Sequence, residues 1–171
     1  MKKILVALCL CLVCLTGCGK TTQSENGTTV AEDNNGNTAF AFSIGSVSIV
    51  PGEDFSDAYE TLGEPVNYTE AASCYYDGMD KVFTYDGYEV RTYPDGEKDL
   101  VQDLCLSSDK YSTDKGITIG SSLADVTAAY GDDYSLNGKM YRYYVDDARY
   151  MYFFMMDDAV KYFGYAIDTA N

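Results

Sequence analysis

Two stretches of the chain carry apolar side chains at helical spacing between glycines, and each is followed by strand-forming runs broken by turn signals. Between Gly52 and Gly63 the apolar positions are Phe55, Ala58, Tyr59 and Leu62; between Gly120 and Gly131 they are Leu123, Val126, Ala129 and Tyr130. The stretches align with a constant offset of 68 residues. In each, a polar pair, Glu53-Asp54 or Ser121-Ser122, stands where an N-cap belongs, and the closing glycine is free to take the left-handed conformation that ends a helix. The spacing predicts two amphipathic helices of about ten residues. Helices that short are marginal alone, so their apolar faces must be held against another layer.

That layer follows each helix. Ser73 to Tyr76, Lys81 to Tyr85, Tyr88 to Tyr93 and Asp99 to Ser107 read as four antiparallel strands parted by Asp77-Gly78, Asp86-Gly87 and Pro94-Asp95-Gly96. Asp-Gly between two apolar-aromatic runs is a direct hairpin signal. After the second helix, Met140 to Val145, Arg149 to Met155 and Ala159 to Ile167 are parted by Asp146-Asp147 and Asp157-Asp158, which repeats the plan with one strand fewer. The fold class expected is α+β, a tandem repeat of a short helix packed on an antiparallel β-meander, with units at 39–115 and 116–171. One continuous curved sheet in a monomer is the expected assembly, with strand edges at Ser73 and Ile167.

Alternation assigns faces within these strands. In Arg149 to Met155, Met151, Phe153 and Met155 form the more apolar set and belong against the helices, which turns Tyr150, Tyr152 and Phe154 to the other side. Tyr162, Arg91 and Tyr93 extend that outer surface. All 17 tyrosines lie beyond residue 38 and there is no tryptophan. Tyrosine combines contact area, low rotamer entropy and a hydroxyl, so the candidate partner-binding residues are Tyr150, Tyr152, Phe154, Tyr162, Arg91 and Tyr93. The competing reading is a set of cross-strand tyrosine ladders that only stabilise the sheet.

The N-terminus has the grammar of export. Lys2 and Lys3 precede an apolar run, Ile4 to Leu15, that is too short to span a bilayer, and Leu15-Thr16-Gly17-Cys18 forms a bacterial lipobox. Residues 1–17 are thus expected to be a lipoprotein signal peptide, cleaved before Cys18, whose thiol takes the acyl anchor. The mature protein would sit on the extracytoplasmic face of the cell membrane. Residues 18–38, rich in Thr, Asn and Gly and nearly free of apolar side chains, read as a disordered tether. As a flexible coil it would reach roughly 25 Å from the anchor.

Cleavage discards Cys9, Cys11 and Cys14 and leaves Cys74 and Cys105 beyond the anchor. An exported protein invites a bridge between them. Their places in the first and last of four successive strands put them on the order of 14 Å apart, whereas a bridge needs Cα atoms within about 7 Å. Loss of Lys2 and Lys3 leaves 10 basic residues against 27 acidic ones, a net charge of −17. That excludes nucleic-acid binding and favours a cationic or neutral partner. The sequence has no histidine, hence no Ser-His or Cys-His machinery and no His-containing zinc cluster. The pairs Asp132-Asp133, Asp146-Asp147 and Asp157-Asp158 fall at turns without calcium-loop spacing and read as solvated rims. No catalytic residue, metal or cofactor is expected.

Taken together, the tandem Gly-bounded helices and aromatic meanders resemble the β-lactamase inhibitor protein fold. The stretches Leu62-Gly63-Glu64-Pro65, Asp80 to Tyr85, Thr92 to Gly96, Gly116 to Gly120 and Ala129-Tyr130-Gly131 resemble a group of clostridial-type lipoproteins. The resemblance spans residues 45 to 167 and implies a sheet face presented to a protein partner. The inhibitor's disulfide-closed loops and tryptophans have no counterpart here, so β-lactamase inhibition is not implied. The function expected is a membrane-anchored, non-enzymatic protein-binding or inhibitor-like module acting through an aromatic sheet face. The alternative is a lipoprotein that binds carbohydrate, cell wall or a small ligand.

Overall fold

The computed structural model describes residues 41–169 in full, with the backbone of Asn26–Gly27, Val30–Glu32 and Thr38–Phe40. The signal segment, Cys18 and most of the tether lie outside the described residues. Within the tether range, short pairings stand where only coil was expected: β1 (Asn26–Gly27) lies along β4 (Phe42–Ile44), and β2 (Val30–Glu32) along β3 (Thr38–Phe40). The physical reason for the first is that β4, fixed in the core by Phe42, leaves one edge unpaired by β5 (Val47–Ile49).

From there the chain runs through α1 (Ser56–Leu62), β6 (Asn67–Ala72), β7 (Met79–Tyr85), β8 (Tyr88–Asp95) and β9 (Lys98–Leu106), then α2 (Leu123–Tyr130), β10 (Ser135–Asn137), β11 (Met140–Tyr144), β12 (Arg149–Met156) and β13 (Ala159–Ile167). Strands β6 to β13 form one antiparallel eight-stranded sheet in the order β10-β11-β12-β13-β9-β8-β7-β6. The fold is therefore α+β. Each helix precedes a four-strand meander, and the two meanders join last strand to last strand, from Phe163 opposite Leu106 to Ala166 opposite Asp103.

Two strand expectations are corrected. Ser73 to Tyr76 is a turn, in which the Ser73 hydroxyl accepts from the backbone N–H groups of Tyr75 and Tyr76 at 3.4 and 3.3 Å. The first strand is instead β6, whose six residues are all exposed. The second meander also has a fourth strand, β10, equally exposed. The sheet edges are thus β6 and β10, and Ile167 lies at the end of an interior strand.

The helices fall where the periodicity places them but are shorter. Ser122 caps α2 with a full capping box: its hydroxyl accepts from the Asp125 N–H at 3.2 Å, and Asp125 accepts from the Ser122 N–H at 2.9 Å. The Glu53-Asp54 pair does not cap α1 in this way. Phe55 occupies the N-cap position, and Asp54 Oδ1 accepts from the Ser56 N–H at 3.1 Å, which turns the chain one residue before the helix begins. Both helices end on glycines with φ of 77° and 87°, Gly63 and Gly131, a conformation costly for other residues.

One face of the sheet carries the main core. Phe83, Val90, Leu104, Phe153 and Phe163 are covered by α1, α2 and the β4–β5 hairpin, which contributes Phe42, Val47 and Ile49. Met151, Phe153 and Met155 lie in this core, as alternation indicates.

Hydrogen bonds recur between the halves at matching positions. Gly52 N–H bonds to Val101 O and Val101 N–H to Glu53 O, at 2.7 and 2.8 Å; in the second half Gly120 N–H bonds to Val160 O and Val160 N–H to Ser121 O, both at 2.8 Å. Tyr85 on β7 donates its hydroxyl to Gly63 O, and Tyr143 on β11 donates to Gly131 O, each at 3.1 Å. The register shifts of β8 against β9 and of β12 against β13 also fall at corresponding places, Arg91/Thr92 and Phe154/Met155.

Candidate functional site

The face away from the helices curves into a cleft of about 810 Å³ that spans both halves of the sheet. Arg91, Tyr93, Tyr150, Tyr152 and Tyr162 all line it. Phe154 does not; it stacks against Tyr162 with ring centroids 4.5 Å apart and planes 3° from parallel. Tyr150 and Tyr152 belong to a cluster with Ala166, Met140 and Tyr162 that is separate from the helix-side core. They take the predicted side of the sheet, but the expectation of an open surface there is corrected: Tyr150 is 8 % exposed and Tyr152 only 3 %. They form the floor of a concavity and not a flat platform.

The floor is built by close approach of backbone. Tyr152 on β12 pairs directly with Gly164 on β13. Since glycine lacks a Cβ, the ring lies over it and extends to β9, where the hydroxyl donates to Asp103 Oδ1 at 2.8 Å. Asp103 Oδ2 accepts from Arg91 Nη1 at 2.9 Å, and Arg91 Nη2 lies 2.5 Å from Glu89 Oε1. One chain of contacts therefore crosses the junction of the two meanders.

The walls are supplied by two segments that sequence reasoning did not assign to the site. Tyr76, in the turn after β6, donates to Thr169 O at 2.8 Å, and Gln102 Nε2 donates to Thr169 Oγ1 at 3.1 Å. Tyr144 donates to Asp168 Oδ2 at 2.8 Å. The chain beyond β13 is thereby drawn along the cleft. Arg142 stacks its guanidinium 4.7 Å above the Tyr150 ring, and its Nε is buried without a hydrogen-bond partner. A signal for Asp103 and Cys105 was available, since both alternate with core-facing Leu104 and Leu106. No local pattern marks Thr169 or Tyr76 as neighbours.

Burial sets the electrostatics. It raises the Asp103 carboxyl to about 6, against the lowering effects of the Tyr152 hydrogen bond and of Arg91. Burial and the adjacent Asp103 carboxylate push the Tyr152 phenol well above its usual value. The Cys105 thiol is pushed up to about 11, first by burial and then by Asp103, so it stays protonated and is a poor nucleophile at neutral pH. Cys74 and Cys105 are both free, as expected, although Cys74 lies in the turn between β6 and β7 and not in the strand on which that expectation rested. Among the described residues no group of three His, Cys, Asp or Glu is placed to hold a metal ion, and no helix is long and apolar enough to cross a membrane. With aromatic rings, a guanidinium pair and carboxylates facing one concavity, the site is equipped to surround and hydrogen-bond a guest.

No family model matches the chain, and no curated protein or solved structure matches it significantly.

Proposed function

We propose that the protein is a non-enzymatic binding module, lipid-anchored through Cys18 on the extracytoplasmic face of the membrane, whose concave aromatic sheet face takes up a segment of a protein partner. The observation that carries this reading is the cleft of about 810 Å³ across both halves, lined by Arg91, Tyr93, Tyr150, Tyr152 and Tyr162. A concavity with a tyrosine floor favours a protruding loop over a flat surface, because only a protrusion reaches Tyr152. The recurrence of the same helix-to-sheet hydrogen bonds in both halves supports a tandem, β-lactamase-inhibitor-protein-like architecture. A chain without histidine, and a thiol held protonated, support recognition over catalysis.

A second reading, a glycan or cell-wall ligand, is favoured by one observation: aromatic faces alternate in the cleft with Arg142, Gln102 and Asp80, groups suited to sugar hydroxyls. The test is a binding isotherm of the full chain, first against partners captured from envelope extract and then purified, and in parallel against purified peptidoglycan. The pair Tyr93→Ser and Tyr162→Ser should weaken the relevant isotherm at least about tenfold while leaving the melting temperature near that of the parent. Saturable binding to peptidoglycan alone selects the second reading. Binding unaffected by the pair contradicts the cleft as the site.

A further inference from the structure

On the helix side of the sheet, away from the cleft, a second cavity of about 480 Å³ opens between α1 and the edge strand β6. Its walls are four aromatic rings. Phe83 sits at the centre, with centroids 5.0 Å from Phe55, 5.5 Å from Tyr59 and 5.2 Å from Tyr68, and its plane is inclined 49–56° to each of theirs. Phe55 and Phe83 are buried and form the floor of a cup, while half-buried Tyr59 and exposed Tyr68 form the sides that reach solvent. Carboxylates surround it: Glu60, Glu64 and Asp99 line the cavity, and the one cation there, Lys81, is paired with Asp99 at 2.7 Å. The lining therefore carries a net negative charge. Tyr68 is 45 % exposed, so the cup is open to solvent at the sheet edge.

The other half of the molecule shows that the fold does not require this lining. Tyr68 pairs with Phe83 across β6 and β7, and Leu136 pairs with Tyr141 across β10 and β11 in the corresponding register. At the matching helix positions, 68 residues on, Leu123 stands for Phe55, Thr127 for Tyr59 and Ala128 for Glu60. The cavity there is only about 240 Å³, bounded by Leu123, Lys139, Tyr141, Met155, Asp157 and Asp158. Carboxylates and a lysine thus recur in the second half, whereas the four-ring lining is peculiar to the first, with Leu123, Thr127 and Leu136 in place of three of its rings.

We propose that this cup binds an organic monocation bearing a methylated ammonium group. Ring faces attract a cation within about 6 Å of their centroids, and carboxylates at the rim add charge complementarity without full desolvation. A fully methylated, quaternary ammonium, which is weakly hydrated and has no N–H donors that must be satisfied, suits walls made mainly of ring carbon better than a primary ammonium does. The proposal is independent of the cleft on the opposite face.

The test is a titration of the full chain with choline, followed through tyrosine ring resonances, beside its uncharged carbon isostere 3,3-dimethylbutan-1-ol and Nα-acetyl-lysine amide. Choline should saturate and bind about tenfold tighter than the alcohol, the loss expected when the cation–ring attraction is removed. Tyr59→Ser and Glu64→Gln should each weaken it several-fold. Tyr68→Ser, at a position exposed enough to leave folding intact, should do the same, whereas Tyr141→Ser in the other half and Tyr93→Ser in the cleft should leave it unchanged. Equal binding of choline and the alcohol, tighter binding of the lysine amide, no saturation, or a Tyr68→Ser variant that binds like the parent would each overturn the proposal.

Discussion

Tyr152 lies directly over Gly164, so closely that a Cβ on residue 164 would sit 2.5 Å from the tyrosine hydroxyl oxygen and 2.3 Å from the Leu104 carbonyl oxygen. Neither neighbour gives way cheaply. The carbonyl belongs to the central strand β9, and the hydroxyl is held by Asp103. Gly164→Ala should therefore destabilise the protein by about 1–3 kcal/mol, the usual cost of overpacking, with loss of the Tyr152 contact to Asp103. Urea unfolding measures the first effect. A variant as stable as the parent would show that the two meanders do not depend on this approach.

Asp103 makes stability depend on pH in an uncommon direction. Its native pKa of about 6 lies above the ordinary carboxylate value, so between about pH 4 and pH 6 the native state holds a proton that the unfolded chain has released. The stabilisation from this group is complete below that window and is lost as pH rises through it. Asp103→Asn stays neutral throughout. Its unfolding free energy relative to the parent should rise from pH 4 to pH 6, by up to about 1.4 kcal/mol per pH unit. A difference that is flat with pH contradicts the buried, proton-holding carboxyl.

The two helix ends are tied to the sheet by the same device, a tyrosine hydroxyl on the second strand of each meander. Tyr85→Phe and Tyr143→Phe each remove one hydrogen bond to a glycine carbonyl, and each should cost about 1 kcal/mol. Since the tyrosines serve different helices, the double variant should lose the sum of the two within about 0.5 kcal/mol. Thermal and urea unfolding check this. A strongly non-additive result would mean that the helix ends communicate through the core.

Capping differs between the helices, and the variants should show it. Ser122→Ala removes the hydroxyl arm of the α2 capping box, leaving the Asp125 bond to the backbone N–H of residue 122, and should cost about 1 kcal/mol. Asp54→Ala removes a single bond, to the N–H of Ser56 at the first residue of α1, with no reciprocal arm, and should cost less. Equal losses would contradict the distinct N-terminal geometries.

The parts of this architecture visible in the sequence were those written in local pattern. Helical spacing 68 residues apart located both helices, and alternation in Arg149 to Met155 assigned the two faces of β12 correctly. Strand β13 has the bounds that turn signals give it, and the Asp157-Asp158 turn before it takes positive φ at both residues, 52° and 61°, as tight hairpins require. Edge strands were missed for a physical reason. Asn67–Ala72 and Ser135–Asn137 bury nothing, so no periodicity marks them, while the aromatic Tyr75-Tyr76 pair mimics a strand inside a turn. The depth of the cleft was hidden because it depends on curvature, on a glycine beneath a ring from another strand, and on the bond from Tyr76 to Thr169, 93 residues away.

The central claim, that the concave face receives a macromolecular guest, is tested most directly by site-specific photo-crosslinking of the full-length protein in intact cells. A photoreactive phenylalanine is placed at Tyr75, which lines the cleft and is 81 % exposed, at Tyr162 within it, or at exposed Ala128 on α2 as a helix-side control. The account predicts a discrete adduct of shifted mass from Tyr75 and Tyr162 and none from Ala128. Adducts from Ala128 alone, or none from either cleft position, would contradict it.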